Sequence, residues 1–107
     1  MAARVLLVVP ATARRGAVID LRATIAHAME TGYRPGADGQ VVPRDILRRF
    51  TCRYNGEVVF EAEMHPAISA NPYFAFHTVA TESGTLEFEW TGDKGFSQVE
   101  RRQIQVT

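Results

Sequence analysis

Polar and apolar residues alternate with period two through most of this chain, the signature of strands with one buried face. Over residues 17–27, Ile19, Leu21, Ala23 and Ile25 are apolar while Asp20, Arg22 and Thr24 are not, which predicts a long strand. Residues 4–9 predict a short strand, ended by Pro10. Phe50, Cys52 and Tyr54 share one face against Arg49, Thr51 and Arg53, and Asn55-Gly56 follows at once. That pair suits a type I′ hairpin turn, which needs positive φ at both central residues. The return run puts Val58, Phe60, Ala62 and Met64 inward and Glu57, Glu61 and Glu63 outward, so arginines of one strand face glutamates of the next. Phe74 and Phe76 lead a further strand, and Leu86, Phe88 and Trp90 alternate with Glu87 and Glu89 in another. The last run, residues 96–106, changes phase: Val99 is odd while Ile104 and Val106 are even. A bulge near Glu100 to Arg102 is the expectation there.

About seven strands with turn signals between them, and no helical periodicity, predict an all-β fold. The architecture expected is an immunoglobulin-like antiparallel β-sandwich, a single domain over residues 1–107, with Trp90 and Tyr54 as core anchors. Two segments fall outside the alternation. Residues 29–45, METGYRPGADGQVVPRD, hold three Gly and two Pro and read as a long loop. Residues 65–73, HPAISANPY, join two strands that a two-residue turn could have joined. Loops of that length carry function or cover a sheet edge. Tyr, Met and Arg are enriched where proteins bind proteins. The candidate partner contacts are therefore Met29, Glu30, Thr31, Gly32, Tyr33 and Arg34 in the first loop, and His65, Pro66, Asn71, Pro72 and Tyr73 in the second.

Composition narrows the classes. With 46% hydrophobic and 22% charged residues the chain is ordinary for a globular domain, and a formal charge of +0 favours neither a polyanion nor an anionic membrane. Lys94 is the only lysine, so nearly all positive charge is arginine, which suits bidentate pairing. A lone cysteine, Cys52, excludes an intrachain disulfide. The apolar run Val5 to Val9 is too short for a secretory h-region, so no signal peptide is expected, and no run reaches membrane-spanning length.

Chemistry is sparse. Cys52 has the inward phase of its strand, which predicts a buried, inert thiol rather than a nucleophile. His27, His65 and His77 show neither HxH nor HExxH spacing. The glutamates lie on solvent phases, and no phosphate loop, nucleophile elbow or basic-aromatic nucleic-acid surface is present. The reading is of a chain with no catalytic, cofactor-binding or metal-binding residues.

The segments HAMETGYR, VPRDILRRFTCRYNGEVVFEAEMHPAISANPYFAFHTVATESGTLEFEW and DKGFS resemble the SoxZ family over residues 4–106. SoxZ is the Z subunit of the bacterial SoxYZ carrier complex of sulfur (thiosulfate) oxidation. The resemblance implies an immunoglobulin-like sandwich and a non-catalytic subunit that forms a heterodimer with SoxY. SoxY's Gly-Gly-Cys-Gly-Gly arm carries covalent sulfur intermediates between the other Sox proteins, which the complex meets transiently. This chain ends RRQIQVT and has no such arm. The resemblance further implies a periplasmic location reached by co-export with the signal-bearing partner. A homodimer of the isolated chain remains open. So do two other functions: a metal-dependent redox protein using His27, His65, His77 and Cys52, and a generic immunoglobulin-like interaction module.

Overall fold

Each alternating run becomes a strand, and the apolar phases face one another across two sheets. The computed structural model describes residues 2–107. Strands β1 (Val5–Val8), β3 (Val18–Ile25) and β6 (Tyr73–Val79) form a three-stranded sheet in the order β1-β3-β6. Strands β2 (Thr12–Ala13), β8 (Ser97–Val106), β7 (Gly84–Gly92), β4 (Leu47–Tyr54) and β5 (Glu57–Glu63) form a five-stranded sheet in that order. All pairings are antiparallel except β2 with β8. The two-residue β2, lying just after Pro10, is too short to show a period, and so the sequence predicts seven strands where the structure has eight.

The core fills the space between the sheets. From the small sheet come Ile19, Leu21, Ala23, Ile25 and Phe76; from the large one come Phe50, Cys52, Leu86, Phe88, Trp90 and Ile104. Phe50 on β4 stacks on Phe74 of β6 with ring centroids 4.8 Å apart and 6° between planes. Phe60 on β5 stacks on Phe76 at 4.3 Å and 11°. These two pairs bolt the sheets together, because each spans the interlayer gap. Trp90 is fully buried against Phe50 at 5.1 Å, and its indole Nε1 has no partner among the described residues. Leaving that N–H unpaired costs about 1–3 kcal/mol, less than burying so large a ring returns. At the opposite end of β4 the Tyr54 hydroxyl accepts the Thr81 and Glu82 N–H groups, each at 3.2 Å, and donates to the Glu82 carbonyl. It satisfies the backbone of the β6–β7 connection much as a tyrosine corner does in immunoglobulin sandwiches.

The hairpin turn is as expected, with Asn55 at φ 50° and Gly56 at φ 84°. Two details of phase are not. Cys52 pairs with Phe60 but Arg53 with Val58, so a bulge at Val58-Val59 turns Val58 out to solvent and lets Val59 pack on the core. In the last strand no bulge forms: β7 and β8 pair in unbroken register from Gly84↔Ile104 to Thr91↔Ser97. Gln98, Glu100 and Arg102 therefore occupy inward phases. Gln98 makes this tolerable at the sheet end, accepting the Ala3 N–H on Oε1 and donating from Nε2 to the Ala3 carbonyl, both at 2.8 Å.

The long loop, residues 29–45, is an arm rather than a disordered connection. Glu30 and Asp45 exchange both backbone hydrogen bonds at 2.9 Å, Arg34 O accepts the Val42 N–H at 2.8 Å, and Gln40 O accepts the Gly36 N–H. The result is an irregular two-stranded projection with isolated bridges at Glu30↔Asp45 and Pro35↔Val41. Its root is tight: a Cβ on Gly32, whose φ is +89°, would lie 2.9 Å from the Arg44 Cβ. The whole molecule measures 58 × 23 × 19 Å.

Candidate partner surface

The two sheets turn very different outer faces to solvent. On the large sheet the outward phases are charged and paired. Arg49 Nη1 lies 2.9 Å from Glu61 and Nη2 3.1 Å from Glu63. Arg53 lies 2.8 Å from Glu89 and 3.7 Å from Glu87, and Arg101 reaches Glu87 at 2.9 Å. Hydrogen bonding to Glu89 raises the Arg53 pKa further above its ordinary value. Such half-exposed pairs add little stability each, but together they make a hydrated ladder across β5, β4, β7 and β8.

On the small sheet the outward phases are mostly apolar. Leu6, Val8, Val18, Tyr73 and Val79 all project there, five of the nine large hydrophobic residues exposed among the described residues. Register sets them in rows: Leu6–Thr24–Tyr73, then Val8–Arg22–Ala75, with Asp20–His77 and Val18–Val79 beyond. One polar island sits among them. His77 Nε2 is 2.8 Å from Asp20 Oδ1, and Arg22 Nη2 is 3.5 Å from Asp20 Oδ2. Leu6 and Val8 on β1, Tyr73 on β6 and the Val18–Val79 pair thus flank the polar outward residues Thr24, Arg22 and Asp20 of the central strand, a mix of apolar and polar groups that protein interfaces share. Of these five, only Tyr73 stands among the contacts expected from sequence. The signal for Leu6 and Val8 was there in the run Val5 to Val9, apolar on both phases although its strand lies at a sheet edge, whereas Val18 and Val79 have no such mark.

The loop candidates divide. Tyr33 is 79% exposed on the arm, and Tyr73 is 57% exposed on the sheet face. Met29 is buried and its Sδ accepts the Leu47 N–H at 3.3 Å, so it anchors the arm to the core rather than presenting its side chain to solvent. Pro72 is buried as well, beneath the end of β3, where its carbonyl accepts the Ile25 N–H. Glu30 and Arg34 are paired with each other at 2.7 Å, and that hydrogen bond holds the Glu30 carboxyl below its ordinary range. Thr31 Oγ1 accepts the Tyr33 N–H, and Gly32 permits the close approach at the root. Asn71, at φ 53°, clips the second loop to β3 through two hydrogen bonds with the His27 backbone at 2.8 and 2.9 Å. His65 and Pro66 line a groove with Arg44 of the arm, so both loops lie at the same end of the sandwich.

Cys52 is fully buried, and burial pushes its thiol up to about 12 against the weaker opposing pull of Arg53. At pH 8 about one folded molecule in ten thousand then carries a thiolate. Iodoacetamide at that pH should label native protein at least a hundredfold more slowly than urea-unfolded protein, as mass spectrometry would record. The same shift has a sign for stability. Between its ordinary value of 9.0 and about 12 the unfolded thiol has lost its proton while the folded one keeps it. Stability therefore falls as pH rises through that window, and equal labelling rates in the two states would refute the burial argument.

His27, His65, His77 and Cys52 do not meet. Cys52 is in the core, His77 is on the outer face of the small sheet, His65 is in the groove, and His27 Nδ1 accepts the Met29 N–H at 3.0 Å. Among the described residues no three His, Cys, Asp or Glu side chains come together as metal ligands.

The family model for SoxZ, sulphur oxidation protein SoxZ, matches residues 7–103. The chain belongs to the SoxZ family. Among solved structures it is similar to a superoxide reductase (neelaredoxin) from Ignicoccus hospitalis, with TM-score 0.74, 15% identity, and 98% of this chain and 82% of that one covered. It is similar also to the sulfur carrier protein SoxY from Chlorobium limicola f thiosulfatophilum, with TM-score 0.66, 13% identity, and 96% and 78% covered. At such identities the likeness is one of fold, and the fold is the immunoglobulin-like sandwich. No curated protein sequence matches the chain. SoxZ membership makes this a subunit of the sulfur-oxidation carrier system.

Proposed function

We propose that this chain is the non-catalytic half of a SoxYZ heterodimer and seats SoxY on the outer face of its three-stranded sheet. The observation that carries the reading is the asymmetry of the two outer faces, one laced with ion pairs across four strands and the other carrying five exposed apolar side chains around the Asp20, Arg22 and His77 cluster. SoxY from Chlorobium limicola shares the sandwich fold, so sheet-on-sheet packing offers each partner a matching twist. With strands of four, eight and seven residues, the three-stranded face covers roughly 300 Å², well under half of the ~800 Å² per partner that a stable interface needs. Tyr33 on the arm and Tyr73 at the sheet end would supply part of the rest. In this arrangement the chain stabilises the carrier and holds its cysteine arm accessible to other Sox proteins, while Cys52 stays out of the chemistry. Export folded together with a signal-bearing SoxY would bring it to the periplasm.

Mixing the purified chain with SoxY should give a 1:1 complex on gel filtration with light scattering. Two separate peaks at micromolar concentrations of each would refute the reading.

A further inference from the structure

At the arm end of the large sheet lies an open groove of ≈ 490 Å³. Arg44, Arg48, Arg49 and His65 line it, together with Glu63 and Thr91. Two consecutive arginines on a regular strand would point to opposite faces. Here the pairing of β4 with β7 steps from Leu47↔Gly92 to Arg49↔Thr91, leaving Arg48 as the extra residue of a bulge. The bulge brings Arg48 into the groove beside Arg49, which is what bulges near functional sites do. Gly92 makes it possible, since a Cβ there would lie 2.6 Å from the Ile46 carbonyl oxygen.

The charges around the groove are not equally occupied. Arg44 is held by Asp93 through bonds of 2.8 and 3.0 Å, and Asp93 also accepts the Ile46 N–H at 3.1 Å. Arg49 is shared between Glu61 and Glu63. Arg48 has no carboxylate within 4.0 Å and makes no side-chain hydrogen bond among the described residues. One guanidinium, with five N–H donors in a planar fork, is thus left over in a concave site whose other cations are already positioned by their partners.

We propose that this groove binds a sulfur oxyanion, with Arg48 as its principal ligand and Arg44, Arg49 and His65 around it. Guanidinium forks match oxyanions bidentately, and Arg48 is the one fork here without a carboxylate in contact, although its charge also acts on Asp93. The choice of sulfur chemistry rests on the proposed function; the cationic groove does not. The anion could arrive free, as thiosulfate or sulfate, or as the terminal sulfonate of a group carried on the partner.

The test is an amide and arginine side-chain NMR titration of the isolated chain with sodium thiosulfate, against sodium chloride at matched ionic strength. Saturable shifts at Thr91, Gly92 and the Arg48 Nε–H are expected with thiosulfate alone. Arg48→Gln should weaken that binding about tenfold, while Arg101→Gln, an equal loss of charge on the ladder, should not. A Gly-Gly-Cys-Gly-Gly peptide bearing an S-thiosulfonate that binds more tightly than thiosulfate assigns the groove to a carried group. Equal or weaker binding of the peptide assigns it to the free anion. Shifts reproduced by chloride, or an affinity unchanged in Arg48→Gln, overturn the proposal. SoxY binding is measured on the same variant: a chain that takes thiosulfate but never SoxY would sink the proposed function and leave the groove standing.

Discussion

Leu6→Glu together with Tyr73→Glu should lower the affinity for SoxY at least a hundredfold while leaving the fold intact. The two residues share a row across the small sheet, and both side chains are more than half exposed, so the monomer loses little burial. In the complex the loss is double. Each apolar side chain gives up about 1.5–3 kcal/mol of burial, and two carboxylates are left without partners in a desolvated surface. A hundredfold corresponds to about 2.7 kcal/mol, so the threshold is conservative. Tyr73→Ala alone should cost about tenfold, and Tyr33→Ala reports separately whether the arm joins the interface. Calorimetric titration measures all three, with circular dichroism confirming native folding. Wild-type affinity in the double glutamate variant would place the SoxY seat elsewhere.

The largest effect on stability should come from Phe50→Ala, at about 3–5 kcal/mol. Phe50 is fully buried and its ring contacts those of Phe60, Phe74, Phe76, Phe88 and Trp90, from both sheets. Truncation removes the stacked pair that joins β4 to β6 and leaves a cavity that rigid strands on either side cannot close. For a domain of this size such a loss lowers the thermal midpoint by about 15–25 °C. A fall of less than about 5 °C in a two-state thermal melt would mean that the interlayer stack is not the keystone described above.

Much of the sandwich is legible from alternation because each main strand buries a single face. The positions Ile19 to Ile25, Phe50 to Tyr54 and Leu86 to Trp90 state their orientation outright. Legibility fails where a strand pairs out of phase. The bulge at Val58-Val59 leaves no mark in EVVFEAEM, where either valine suits the core. The bulge at Arg48 is equally hidden in ILRRF, since it depends on Gly92 more than forty residues away. Exposure was half legible: loop length and residue type pick out the exposed Tyr33 and Tyr73 but equally the buried Met29 and Pro72, because exposed and core positions draw on one chemical stock. The small-sheet face itself depends on which strands become neighbours: β6 (Tyr73–Val79) lies far from β1 and β3 in sequence, and only the pairing of all three gathers Leu6, Val8, Val18 and Val79.

The contrast between the two outer faces also limits growth. The β5 edge is lined by Glu57, Glu61 and Glu63, a row that discourages a foreign strand from adding to the sheet. Behind it the ladder of arginines and glutamates stays solvated. With five of its exposed large apolar side chains on one face and the others dispersed, assemblies built on that face would terminate at two instead of propagating into fibres. In the heterodimer proposed above, that termination would keep each carrier complex from recruiting further copies.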